Sequence, residues 1–275
     1  MNGRLGAGLA ITAAIVALAL VSLVWTPEPP TRMHIALKLR PPLAAGPMPG
    51  SGLLGTDNFG RDVLSMLMAG AWNSLAVAVP SVALGGVLGT LLGVTAAGRR
   101  GVFDAIAMRA LDVVFAFPPI LSAMMLGSLL GPGRLTAVAA IAIFIVPVFA
   151  RVTRGAALRI WGRDYILAAR GAGKGGLRIA SEHVLPNIVG QIAVQVTVQL
   201  GLAILTEAGL SYLGLGAPPP TPSWGRMLAD AQTYLAQAPW LVLAPGVAVA
   251  VTVLGFNLLG DGLRDRWDRR GTVAP

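Results

Sequence analysis

Between Asp62 and Arg99 the chain runs for 36 residues without a charged side chain. A helix needs about 20 residues to cross a hydrocarbon core of about 30 Å, so this run exceeds one perpendicular span. The expectation is an interfacial segment at 63–73 followed by a crossing at 75–97. Other uncharged runs cover 5–25, 113–133, 135–150, 188–206 and 240–260. A soluble domain carries about a quarter charged residues, whereas this chain has 12% charged and 55% hydrophobic residues. The fold class expected is an all-α polytopic membrane protein with six transmembrane helices.

The 5–25 run reads as a retained first span, because VSLVWTPEPP lacks a persuasive small-x-small cleavage site. Proline and glycine interrupt 26–60, which reads as an aqueous segment, and 26–74 is expected to form an extracytoplasmic segment plus interfacial helix. The pair Pro118-Pro119 within the third run removes backbone donors and should kink that helix. Two readings stay open for the kink, a border to a pathway or a packing distortion. The fourth run, 135–150, is short for a span, and Arg134 and Arg151 at its ends can snorkel. Residues 75–260 then form a five-helix core, with the longest intervening loop at 151–187 and a cytoplasmic tail at 261–275.

The net charge of +9 reads as topology rather than nucleic-acid binding, since the basic residues lie between the apolar runs and only 6% of residues are aromatic. With six spans, 15 of the 21 Lys and Arg residues fall on the side that holds both termini. The positive-inside rule makes that side cytoplasmic, and the expected location is multi-pass in the cytoplasmic (inner) membrane. There is no cysteine, and His34 and His183 do not make a metal cage, so no metal site is expected.

The loop at 151–187 is the largest basic stretch. Asp164 to Ala172 has helical character with Tyr165, Ala168, Ala169 and Ala172 near one side; Gly173, Gly175 and Gly176 should stop that helix, and a second short one should run over 177–183 to a stop at Leu185-Pro186. Small side chains at Ala168, Ala169, Gly171 and Gly173 permit close backbone approach by a partner, and Arg163 and Arg170 add cationic steering. Gly173-Lys174 resembles the end of a phosphate-binding loop, but Ala168 stands where its first glycine belongs and Gly175 where its hydroxyl residue belongs. Nucleotide chemistry therefore falls to another subunit.

Several ordered stretches resemble the permease subunits of ATP-binding-cassette importers. Ala168-Ala169, Gly173 and Leu185-Pro186 are similar to the cytoplasmic loop signature of that family, with Leu167 where an acidic residue usually stands. LGTDNFGRD at 54–62, LTEAGLSYLGLG at 205–216 and PSWG at 222–225 resemble the second permease of the dipeptide, oligopeptide and nickel branch, as do Asp164-Tyr165, Arg170 and His183. Met66 and Trp72 stand where that branch often has arginine.

The resemblance implies a type I importer permease that forms half of a translocation path with a second homologous permease. Two ATPase subunits would use ATP and Mg, an extracytoplasmic solute-binding protein would deliver cargo, and this chain would bind no cofactor itself. It further implies an ATPase-docking loop comprising Asp164, Tyr165, Ala168, Ala169, Arg170, Gly171, Gly173, His183, Leu185 and Pro186. Small peptides are the expected cargo, with nickel complexes, opines or glycosides as alternatives.

Gly55, Thr56, Asp57, Gly60, Arg61 and Asp62 form the outer-face motif, expected to order a turn through the two carboxylates rather than touch substrate. Glu207 must be paired, hydrated or functional; interface anchoring and a place with Pro118 and Pro119 on a pathway or outer gate both stay open. His183 is expected to pack against the loop, having no second ligand three or four residues away. A secondary transporter driven by an ion gradient is the rival reading, and it needs ionisable groups at mid-membrane. A membrane scaffold is a weaker one, since it leaves the ordered loop unexplained.

Overall fold

The computed structural model describes residues 3–44 and 52–271, the last four by backbone alone. Part of the proline-rich outer segment, 45–51, and the end of the tail, 272–275, lie outside the described residues.

Among the described residues the regular structure is helical, joined by turns and irregular segments: α1 Gly3–Val21, α2 Val63–Arg99, α3 Gly101–Ala116, α4 Pro119–Leu130, α5 Arg134–Trp161, α6 Asp164–Gly171, α7 Gly176–Ile179, α8 Leu185–Tyr212, α9 Trp224–Ala231 and α10 Trp240–Gly271. Five helices are long and apolar enough to cross a membrane, and α3 with α4 makes a sixth, bent by 84° at the break. Pro118 sits in that break and Pro119 opens α4.

Several expected boundaries move. The 63–73 stretch does not lie apart along the interface: it forms the first three turns of α2, a single helix of 37 residues or about 55 Å. Asp62 nucleates it, its carboxylate accepting from the backbone N–H of Ser65 at 2.8 Å. The third span begins at Gly101, not after Asp112. The fourth is not short: α5 runs 28 residues to Trp161, well beyond Arg151. Likewise α8 extends the expected 188–206 span to Tyr212, and α10 carries the sixth span past 260 to Gly271. In each case helical hydrogen bonding continues past the apolar stretch, because polar residues at a membrane boundary do not break a helix.

The centre of the bundle is the contact of α2 with α5. Gly85, Gly89 and Gly93 repeat at intervals of four on α2, and a Cβ on any of them would collide with α5 at Ala142 to Thr153. Without hydrophobic drive between helices in lipid, small residues at such spacing let backbones approach and gain dispersion contact. Phe149 is fully buried against this seam. α1 docks on α10 by the same device, through Gly8, Gly255 and Gly262.

Ion pairs complete the arrangement. Asp104 of α3 receives both Arg154 Nε and a second guanidinium nitrogen at 2.5 Å, and Arg151 pairs with Asp112 at 2.6 Å while resting on the Phe115 ring. These pairs tie the bent helix pair to α5. Arg151 is therefore paired rather than snorkelling freely, and Arg134 at the other end donates to Asn73 Oδ1 at 2.6 Å.

Candidate functional site

The loop between α5 and α8 is built as a compact tip. After a short break at Gly162, the eight-residue α6 closes with a Schellman motif: Gly173 N–H donates to Arg170 O, and Lys174 N–H to Ala169 O, at 2.9 and 3.1 Å. The motif requires a left-handed residue, and Gly173 has φ +79°. The chain then re-enters helix at α7.

The expected stop at Leu185-Pro186 does not occur. Pro186 lies in the first turn of α8, and residues Ala180–Val184 form a π-helical turn that joins α7 to α8 continuously. Proline lacks an N–H and so donates no helical hydrogen bond to the preceding turn; one residue on, the Asn187 side chain caps a different carbonyl, Nδ2 donating to His183 O at 2.6 Å. π turns mark functional positions more often than chance allows.

The face presented by α6 also differs from expectation. Ile166 and Ala169 point inward, packing with Trp161, Ile179 and Val184. Tyr165, Leu167, Ala168, Arg170, Gly171 and Gly173 face outward. Ala168 and Ala169 thus serve different faces, because adjacent residues on a helix are about 100° apart. The loop is braced by Glu182, which holds Lys174 at 2.5 Å and Arg178 at 2.6 Å. His183 lies edge-on to Tyr165, with ring centroids 6.1 Å apart, and packs against the loop. Among the described residues no group of three or more His, Asp or Glu side chains is placed to hold a metal.

Two side chains that sequence reasoning passed over stand out here. Leu167 is 60% exposed and Leu177 is 88% exposed, on either side of the Gly173 turn. Leu167 was visible only as a departure from an acidic position.

At the opposite end of the bundle the outer motifs converge. Asp57 accepts backbone N–H bonds from Phe59 and Arg61 and pairs with Arg61 Nε at 2.6 Å. Thr56 bridges to Asp62, accepts from Arg40 N–H at 3.0 Å and donates to the Leu37 carbonyl. Gly55 and Gly60 lie so close to the Arg40 and His34 carbonyls that a Cβ at either would collide. Arg61 also reaches Asp230 on α9, at 4.0 Å. Trp224 is fully buried with its indole N–H on the Leu67 carbonyl at 3.0 Å, and Asn73 Nδ2 donates to Pro222 O at 2.6 Å.

Glu207 belongs to this cluster. It is 2% exposed, and its two oxygens accept from Ser74 and Ser211 hydroxyls at 2.6 Å each. It joins α8 to α2 in the interior and faces no open surface. Pro119 does border a cavity, of about 260 Å³, between α4, α5 and α8, with Phe115, Gln199 and Thr206.

The family's sequence profile, described as "Binding-protein-dependent transport system inner membrane component", matches residues 89–272, which take in the whole loop and most of the spans. The chain belongs to this family. Among similar proteins, the permease is 41% identical to a di/tripeptide transport system permease protein of Pseudomonas aeruginosa, over 97% of this chain and 88% of the relative. It is 45% identical to a glutathione transport system permease protein of Pectobacterium atrosepticum, over 78% and 71% of the two chains. A chain of the MetNI methionine ABC transporter, solved in inward-facing conformations, superposes with a TM-score of 0.62 at 20% identity, covering 73% of the permease and 95% of that chain. The permease therefore has an ABC importer permease fold, with six membrane passes when the bent pair counts as one.

Proposed function

We propose that this permease forms half of an inner-membrane path for small peptides or related solutes and that its 162–177 tip docks on an ATPase. The observation that carries the docking role is the exposed set Leu167, Ala168, Gly171 and Leu177 around the Gly173 turn, mounted on two continuous helices. A flat surface of small side chains rimmed by leucines fits a groove closely, and Arg163 and Arg170 steer it. The peptide class rests on the relatives named for di/tripeptide and glutathione transport. A second permease subunit, two ATPases and a solute-binding protein complete the assembly, with both termini cytoplasmic as the basic residues require.

In this reading ATP binding closes the ATPase pair, the tips move with it, and α5 and α8 carry that motion to the outer end, where the path opens to receive cargo. Pro119 and its cavity border the path. Glu207 acts as an internal tie between α2 and α8. The test is uptake in vesicles holding the whole assembly and a labelled dipeptide. Uptake is expected to need ATP and to ignore an imposed proton gradient; uptake that follows the gradient without ATP overturns the reading in favour of a secondary transporter.

A further inference from the structure

Beside the tip, between α2, α5 and α7, lies an open cavity of about 630 Å³. Val94, Trp161 and Ile179 supply apolar wall, and Arg99, Arg170 and Lys174 supply three cationic groups. Lys174 is ion-paired with Glu182 at 2.5 Å, a carboxylate it shares with Arg178. The two arginines are held differently. Arg99 lies 5.1 Å from the Phe103 ring and Arg170 5.2 Å from the Trp161 ring. Among the described residues neither appears in an ion pair with a carboxylate. An aromatic face positions a guanidinium without cancelling its charge. Two such groups on one cavity repel each other until an anion bridges them, and their planar forks suit phosphate oxygens.

The anion's source follows from what leads into the cavity. Leu84, Leu88 and Leu91 are exposed on α2 at intervals of four and three, and the same face continues to Thr95 and Arg99 at the cavity wall. An aliphatic track thus ends in a cationic pocket at the basic side of the bundle. A free phosphate has no use for the track. The basic side faces a leaflet rich in anionic lipid.

We propose that this cavity seats the phosphate of an anionic phospholipid from the cytoplasmic leaflet, with Arg99 and Arg170 on the headgroup and an acyl chain along Leu91, Leu88 and Leu84. Arg170 belongs to α6, so the lipid joins the tip to the membrane-embedded part of α2. The inference rests on the cytoplasmic placement of the tip and not on ATPase docking.

The test uses the complete importer in nanodiscs of phosphatidylcholine containing a minor fraction of phosphatidylglycerol, with lipid retained after mild detergent extraction identified by native mass spectrometry. Phosphatidylglycerol should be enriched about tenfold over its share of the disc, a modest preference in free energy. The double variant Arg99→Gln with Arg170→Gln should lose the enrichment, whereas Arg109→Gln, exposed on α3 outside the cavity, should keep it. Thr95→Trp, which obstructs the cavity while leaving both guanidiniums in place, should lose it too, and it decides the matter if the double variant fails to assemble. Enrichment that survives Thr95→Trp overturns the proposal. Displacement of the lipid by excess inorganic phosphate overturns the lipid source and leaves an anion site. Because retention is read without transport, a failure here is distinct from a failure of the uptake test.

Discussion

At Gly173 a substitution mixes two effects, because φ is +79° and the residue also lies on the outward face of the tip. An added carboxylate there brings charge together with about 1 kcal/mol or more of backbone strain. Gly171 separates them: it lies in α6, and a Cβ on it meets nothing within 4 Å. Gly171→Asp should leave insertion and yield unchanged and lower ATP-driven uptake about tenfold, the effect of roughly 1.4 kcal/mol of lost docking. Gly173→Asn, whose side chain tolerates left-handed backbone, should transport nearly as the parent does. Normal uptake by Gly171→Asp removes that face from the docking surface.

Glu207 invites a different pair of variants. Glu207→Gln keeps an acceptor and gains donors for Ser74 and Ser211, so dipeptide uptake should stay close to the parent rate. Glu207→Leu leaves two buried hydroxyls without their partner, at about 1–3 kcal/mol each where no substitute forms. Its thermal midpoint in detergent should fall by several degrees. A Gln variant that is stable but inactive would make the carboxylate a pathway group.

Among the elements, α2 and α5 carry the fold, and the glycines between them are its narrowest tolerance. Gly89→Leu forces a branched side chain against the α5 backbone near Val146 and Ala150. The seam must open, so the variant should be degraded in cells or elute as aggregate in size exclusion; a monodisperse peak at parental yield would show that the seam adapts. Such packing was hidden in the sequence. Uncharged runs marked where spans had to be, but they did not mark where helices end, since Arg151 and Arg154 sit inside α5 once Asp112 and Asp104 face them. The outer motifs were readable as a turn because Asp57 and Asp62 serve backbone groups nearby. Their meeting with Trp224 and Asn73 depends on contacts across some 150 residues of chain, which no local pattern encodes. For the tip, Gly173 announced the turn correctly, while the inward placement of Ala169 emerged only from its packing on Trp161.

For the whole molecule, the absence of cysteine makes orientation directly measurable. Leu177→Cys at the tip and Leu213→Cys at the opposite end are both well exposed, at 88% and 48% for the native leucines. In intact cells a membrane-impermeant maleimide should label only the second, and permeabilised cells should label both. Labelling of Leu177→Cys from outside would reverse the topology and with it the docking proposal.

The tip's attachment governs how a stroke is delivered. The 28-residue α5 enters it from one side, and a helical path continuous from Gly176 to Tyr212 leaves it on the other. Two struts of about 40–55 Å, both anchored at the outer cluster through Arg134 and Glu207, bend little under load. Compliance is left to the break at Gly162 and the π turn at Ala180–Val184. Displacement at one surface should therefore reach the other almost undiminished, and softening either joint should show as ATP hydrolysed without cargo moved.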